Sequence, residues 1–189
     1  MIRIKTVALV IPFFIVMIIM VIQYYRNRRN VDPVNNGLVL INFIFITYVF
    51  LVIGVLYFPL YVNYNDPFTV LPRFNLVPIL PILEEINYRD MRLTTTILLQ
   101  VFANLALFIP LSAYLAYLRA DSNRRNMIIL IAVSLSAEIA QLALTLVCRF
   151  CDRVFDVNDI LLNLSGSLLA YRWFSSLMIK KKPNGQVKD

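Results

Sequence analysis

The chain has 189 residues, of which 60% are hydrophobic, and it carries a formal net charge of +7. Soluble domains contain about 45–50% apolar residues, so this composition excludes an ordinary soluble protein. Histidine is absent, which removes the commonest general base near neutral pH and the commonest zinc ligand. Most basic residues lie at the ends of apolar blocks, a distribution typical of membrane topology, and the sequence predicts no nucleic-acid partner.

The first two apolar blocks predict membrane-spanning helices. Residues 6–25 follow a basic start that imitates a signal peptide. The apolar run is longer than the 7–15 residues of a signal-peptide core, and no small-residue cleavage site follows it. We therefore expect a retained helix here and a second spanning helix over residues 38–57, each near the roughly 20 residues that a bilayer requires.

Residues 61–92 form the one long polar connection. Four prolines argue against regular structure in its first part. Its second part places Ile79, Leu83 and Ile86 on one helical face and Glu84 on the opposite face. This pattern predicts an interfacial amphipathic helix that lies on the membrane in the outer loop.

Three more apolar segments complete the predicted bundle. They cover residues 94–118, with a kink at Pro110, then residues 127–147 and residues 157–179, and a basic polar tail follows over 180–189. No internal repeat is visible. The predicted fold is all-α: a single-domain, polytopic transmembrane helical bundle with about five spanning helices and one interfacial helix.

The distribution of Lys and Arg predicts the orientation. Five spanning helices place the loops and chain ends on two sides of the membrane. One side carries ten basic residues in short segments, and the other side carries seven over a longer stretch of chain. The ten are Arg26, Arg28, Arg29, Arg119, Arg124, Arg125, Lys180, Lys181, Lys182 and Lys188. The positive-inside rule places the denser set in the cytoplasm. We therefore expect a multi-pass cell-membrane protein with its amino terminus outside and its carboxy terminus in the cytoplasm.

Polar residues recur along one face of the last predicted helix. Asp156, Asp159, Asn163 and Gly166 follow one another at spacings of three and four, which places them in one stripe. Exposing carboxylates and amides to lipid has a high free-energy cost, so this stripe must pack against other helices or line a polar site.

The two preceding helices offer matching polar groups. An ionised carboxylate such as Glu138 costs on the order of 2.5–3.5 kcal/mol near the centre of a bilayer, so it must be paired, neutralised or hydrated. Gln141 lies on the same helical stripe, and Asn104 lies on the third predicted helix. The predicted topology brings these three residues to one level with Asp159 and Asn163, in the outer half of the membrane.

Structural roles also explain these residues. Asp156 and Asp159 have the spacing of a helix N-cap and its third-position carboxylate. Glu138 and Gln141 could hold helices together by hydrogen bonds, and the Ser-Gly-Ser at 165–167 is typical of close helix packing. These roles are compatible with a functional site.

Four short motifs in a fixed order carry a family resemblance. They are Asn75-Leu-Val-Pro78, Asn104-Leu-Ala-Leu-Phe-Ile-Pro110, Ser136-Ala-Glu138-Ile-Ala-Gln141 and Arg153-Val-Phe-Asp156-Val-Asn-Asp159-Ile-Leu-Leu-Asn163-Leu-Ser-Gly166. With these motifs the chain resembles the VanZ-like family over about residues 72–171. It departs from the family at two positions. The family usually has glycine at the position of Ser112 and often has glycine at the position of Ala170. The departures concern helix packing more than the polar residues.

The resemblance implies an integral membrane protein linked to teicoplanin and lipoglycopeptide resistance in Gram-positive bacteria, but it supplies no reaction. On a first hypothesis the protein binds an amphiphilic ligand, either a lipid-linked cell-wall precursor or a lipoglycopeptide, among membrane lipids. Arg153 could hold an anionic group of that ligand. The expected ligand-binding residues are Asn104, Glu138, Gln141, Arg153, Asp156, Asp159 and Asn163.

Two other function classes stay open. An intramembrane enzyme modifying a lipid or envelope precursor would use Glu138 as general base, with Asp156 and Asp159 holding a cation such as Mg²⁺. No nucleophile system and no other cofactor motif is readable in the sequence. A transporter is disfavoured because five helices without a repeat do not match the common transporter designs.

The predicted orientation can be tested by cysteine labelling. In a chain with Cys148 and Cys151 replaced by serine, we expect Asn184→Cys to resist a membrane-impermeant maleimide on intact cells and to react after permeabilisation. Labelling of Asn184→Cys from outside intact cells would contradict the topology.

Overall fold

The computed structural model describes residues 2–28, 36–58, 60–62, 73–78, 91–119, 122–148 and 154–181. By its contacts the chain divides into two compact units, which we describe separately. The first comprises Met1–Arg73 and Ala140–Val154, and the second comprises Phe74–Ile139 and Phe155–Asp189.

The first unit is built on two long apolar helices. Strand β1 (Ile2–Ile4) and a 3₁₀ turn (Thr6–Leu9) lead into α1 (Val10–Arg28), and α2 (Asn36–Tyr57) is followed by β2 (Leu60–Val62). The two strands pair antiparallel, with Ile2 opposite Val62. The short strand pair was not predicted.

Side-chain contacts hold α1 and α2 together within this unit. The rings of Phe13 and Phe50 meet edge to face at 5.3 Å, a favoured geometry for aromatic pairs. Gly54 is buried on α2, and a Cβ at this position would lie 3.1 Å from Thr6 Cγ2. The outward faces stay apolar, with Ile11 70% exposed and Leu51 64% exposed, as expected for helices that contact lipid.

The second unit contains the remaining helices. Its elements are most of β3 (Arg73–Asn75), α3 (Met91–Leu107), α4 (Ile109–Arg119), most of α5 (Asn123–Cys148), most of β4 (Val154–Asp156) and α6 (Val157–Lys181). Strands β3 and β4 form a second two-stranded pair, which was also not predicted. The rings of Phe74 and Phe155 lie 6.1 Å apart beside it.

The helical segment predicted over residues 94–118 is interrupted near Pro110, where a kink was predicted. Helix α3 ends at Leu107, Phe108 forms a turn, and α4 begins at Ile109. Proline has no N–H to donate, and its ring would clash with the carbonyl four residues earlier. Pro110 is therefore placed in the first turn of α4, where no hydrogen bond is lost.

Helix α6 packs closely on α3 and α4. A Cβ on Gly166 would lie 1.9 Å from the backbone carbonyl oxygen of Leu105, so only glycine permits this approach. Ser112 is fully buried, and its hydroxyl lies 2.8 Å from the carbonyl oxygen of Ser167 and 3.0 Å from that of Phe108. Small residues and interhelical hydrogen bonds thus form the core of this unit, as is usual where lipid removes the hydrophobic drive between helices.

The structure supports a helical membrane protein. Among the described residues, four helices are long and apolar enough to cross a membrane: Thr6–Arg26, Asn36–Tyr57, Thr94–Leu118 and Asn123–Thr145. Helix α6 is not in this set, because Asn158, Asp159, Asn163 and Arg172 dilute its apolar character. The all-α class is confirmed. A fifth span stays a prediction, and the predicted interfacial helix over residues 79–90 lies outside the described residues.

The close approach at Gly166 generates a stability prediction. Gly166→Ala would force α6 away from the Leu105 backbone, and overpacking of this kind costs roughly 1–3 kcal/mol. We expect thermal unfolding in detergent micelles to begin several degrees lower, at about 2–4 °C per kcal/mol.

Gly54→Ala is the matched control, because its new Cβ would meet only side-chain atoms of Thr6 and Leu9, at 3.1 and 3.6 Å. Alanine also favours a helix over glycine, so this variant should be close to neutral. Equal losses in the two variants would contradict the packing argument.

Candidate functional site

The start of α6 is capped by Asp156, as its spacing from Asp159 predicted. Asp156 Oδ1 accepts hydrogen bonds from the backbone N–H of Asn158 at 2.7 Å and from Asn158 Nδ2 at 2.9 Å. Its other oxygen, Oδ2, accepts from Asn75 Nδ2 at 2.9 Å. Asp156 is therefore an N-cap that also ties the start of α6 to β3.

Glu138 completes this cap from another helix. Its Oε2 accepts a hydrogen bond from the backbone N–H of Asp156 at 3.4 Å, and the side chain is only 2% exposed. In a capping box, the third helical residue supplies the carboxylate for this N–H. Asp159 occupies that third position here, but Glu138 on α5 takes its role.

Asp159 is thereby left for a different partner. Its Oδ1 accepts a hydrogen bond from Asn104 Nδ2 on α3, and the side chain of Gln100, one turn earlier on α3, is a second hydrogen-bonding partner. The charges of Glu138, Asp156 and Asp159 lie close enough to interact. We call Asn75, Gln100, Asn104, Glu138, Asp156 and Asp159 the carboxylate–amide cluster.

The cluster has an accessible part and a buried part. Gln100 is exposed, and Asn75, Asn104, Asp156 and Asp159 are half-buried. Glu138 is buried beneath them. The polar groups that can meet another molecule are therefore the amides of α3 and β3 and the two aspartates.

Two buried polar atoms lie one helical turn beyond the carboxylates. Asn163 follows Asp159 by four residues on α6, and Ser134 precedes Glu138 by four on α5. The side chains of Asn163 and Ser134 are 2% and 0% exposed. Asn163 Oδ1 and Ser134 Oγ have no hydrogen-bond partner within the described parts of the chain. The polar stripe thus continues inward past the cluster, as its sequence spacing predicted.

Besides Asn163, two predicted site residues are not placed in the cluster. Gln141 belongs to the first unit, where its Nε2 donates to the carbonyl oxygen of Leu56 at 3.4 Å. That contact matches the alternative structural role, in which Gln141 holds two helices together. Arg153 lies outside the described residues, so its predicted role stays a prediction.

Sequence reasoning had not included three contributors among the site residues. Asn158 supplies both the capped N–H and a side-chain amide, and Asn75 and Gln100 supply donors to the two aspartates. Gln100 had a readable signal, since it precedes Asn104 by one helical turn. The role of Asn75 depends on its hydrogen bond to Asp156, which lies 81 positions later in the sequence. No local sequence pattern reveals such a contact.

The described residues do not present a ready metal site. Among them, no group of three or more His, Cys, Asp and Glu side chains could hold a metal ion. Both oxygens of Asp156 already accept hydrogen bonds. Mg²⁺ binding by Asp156 and Asp159 stays a prediction, and no step below depends on it.

The double role of Asp156 can be measured. Asp156→Ala removes the cap and leaves Asn75 without its acceptor, so we expect a loss of about 1–2 kcal/mol in the free energy of unfolding. Asp156→Asn keeps one oxygen for the cap and should lose less than half as much. Chemical denaturation in micelles would compare them, with the exposed Ser165→Ala as control. Equal losses for Asn and Ala would argue against capping.

Comparison with known proteins places the chain in a family. A family model described as VanZ/LLP1 matches residues 45–179, from within α2 to the last turn of α6, and so contains every residue of the carboxylate–amide cluster. No curated protein and no solved structure matches the chain. The match spans well over half of the sequence and confirms the resemblance: the chain belongs to the VanZ-like (VanZ/LLP1) family.

Proposed function

We propose that this protein contributes to glycopeptide resistance by holding an amphiphilic ligand against the carboxylate–amide cluster. Membership of the VanZ-like family suggests a membrane protein linked to such resistance. The observation that carries our proposal is the accessible Asp159, held by amides of α3 beside an apolar helix surface.

The cluster suits a ligand rich in hydrogen-bond donors. Carboxylates only accept hydrogen bonds when ionised, and bonds to an ionised acceptor are the stronger kind. Asp156 and Asp159 are bonded only to uncharged donors in the interactions described above. A ligand bearing ammonium, amide N–H or hydroxyl groups would supply donors to these carboxylates.

The neighbouring surface suits the apolar part of such a ligand. Leu99, which is 65% exposed, and Ala103, which is also exposed, lie within about 100° of Gln100 around α3. An amphiphile could place its polar head at Asp159 while its acyl chain lies along these side chains in the lipid. A lipoglycopeptide and a lipid-linked cell-wall precursor both combine a donor-rich head with an acyl or prenyl tail.

We further propose that α6 is the fifth span. Its 25 residues would reach about 37 Å, longer than a hydrocarbon core of roughly 30 Å. Its polar face is buried at Asn163 and Ser167, whereas Leu169 and Trp173 are 69% and 62% exposed. With the predicted orientation, the cluster would lie at the outer leaflet, where an acylated antibiotic partitions.

The enzyme hypothesis draws less support from the same geometry. A general base must come within about 2.6–3.2 Å of the proton that it removes. Glu138 is 2% exposed and its Oε2 is engaged by the Asp156 N–H. We therefore assign Glu138 a positioning role, in which it sets the start of α6 and hence the location of Asp159.

Two conservative substitutions test the proposal. Asp159→Asn keeps an oxygen for Asn104 but removes the charge, and Glu138→Gln keeps an acceptor for the Asp156 N–H. We expect both variants to keep the wild-type protein level and thermal stability, because size and hydrogen bonding are preserved. Relief from burying an ion could even stabilise Glu138→Gln.

The readout is the inhibitory concentration of teicoplanin in a susceptible Gram-positive host that expresses each variant. We expect Asp159→Asn to fall to the level of the empty vector, because it loses the accessible charge. Glu138→Gln keeps the hydrogen bond that positions α6 and should retain most of the resistance. Ser136→Ala is the control, because this exposed hydroxyl on α5 donates to the Val133 carbonyl of its own helix. Wild-type resistance in Asp159→Asn would mean that the cluster serves the fold alone.

A further inference from the structure

We propose that a second site, at the other end of the same unit, binds the headgroup of an anionic phospholipid. The first turns of α5 and the second half of α6 enclose a groove of about 500 Å³. It is lined by Asn123, Met127, Leu168, Tyr171, Arg172 and Ser175. This volume lies within the range of ligand pockets, roughly 300–1,000 Å³.

The ionic character of the groove points to an anion. Arg172 lines it directly, and Arg124 and Arg125 line an adjoining groove that shares Asn123. All three arginines are exposed. No acidic side chain is present among the described lining residues of either groove. Arginine binds phosphate through a planar fork of donors, so a phosphodiester matches this lining.

The walls of the groove are fixed by a buried hydrogen-bonded group. The Tyr171 hydroxyl donates to Asn123 Oδ1 and accepts from Asn126 Nδ2, both at 2.9 Å. Tyr171 is 3% exposed and Asn126 is fully buried. These bonds hold α6 to the first turn of α5, where Arg172 and Asn123 line the same groove.

The apolar part of the lining favours a lipid over free phosphate. Met127 and Leu168 line the groove, and Ile128 of the adjoining groove is 57% exposed. The candidate span Asn123–Thr145 begins at this point, which places Arg124 and Arg125 at the boundary between membrane and water. A headgroup at the arginines would leave its acyl chains beside these apolar side chains.

This proposal is independent of the function proposed above. Asn123 and Glu138 are fifteen residues apart on α5, which corresponds to about 22 Å along the helix. Variants in one site therefore leave the other unchanged.

Native mass spectrometry of the purified full-length chain in detergent micelles tests the proposal. Phosphatidylglycerol is titrated against phosphatidylcholine and, separately, against inorganic phosphate. We expect selective retention of phosphatidylglycerol by the wild type. Each arginine near a membrane surface contributes about a fivefold preference for anionic lipid, so Arg125→Gln/Arg172→Gln should weaken binding about 25-fold.

The matched control is Arg26→Gln/Arg28→Gln, which removes two positive charges from α1. We expect this control to bind within about twofold of the wild type. An equal loss in the control would show diffuse charge attraction and overturn the proposal. Tight retention of inorganic phosphate without lipid would overturn the assignment to a phospholipid.

A third variant keeps the test decisive if the arginine variant is unstable. Leu168→Trp fills the groove without changing charge, and it should abolish selective retention of phosphatidylglycerol. Undiminished binding by a folded Leu168→Trp would overturn the groove as the site.

Discussion

The hydrogen bond from the Asp156 backbone N–H to Glu138 Oε2, at 3.4 Å, links the start of α6 to α5 in the second unit. It satisfies a free donor at the start of α6 with a carboxylate from another helix, and the rest of the cluster is arranged around this contact. Asp156 can then cap α6 and bind Asn75. Asp159, freed from the reciprocal role of a capping box, turns to Asn104 on α3.

The rest of α6 is held by contacts of the same type. Gly166 allows its backbone to approach Leu105, and Tyr171 binds the first turn of α5. Lipid is as apolar as leucine, so burial of apolar side chains gives little drive for helices to associate within a bilayer. In this unit, close packing of small residues and polar contacts at both ends of α6 hold the helices together instead.

Structural and functional roles need not compete in the carboxylate–amide cluster. Glu138 is buried and sets the geometry, whereas Asp159 and Gln100 are accessible. Asp159 is held in place by amides of α3 and is half-buried, so it stays accessible to an outside partner. The other end of α6 has the same arrangement, in which a buried residue, Tyr171, positions an exposed one, Arg172.

The sequence alone determined those features that follow from local rules. Bilayer thickness makes long apolar runs readable as spans, the chemistry of proline marks the break before Pro110, and the three-residue spacing of Asp156 and Asp159 marks a helix start. Tertiary structure alone decided the partners. Gln141 and Glu138 share a helical stripe, yet one binds Leu56 and the other binds the start of α6. Residues separated by 18 to 85 positions meet through packing of the whole chain, and periodicity within one helix carries no information about that packing.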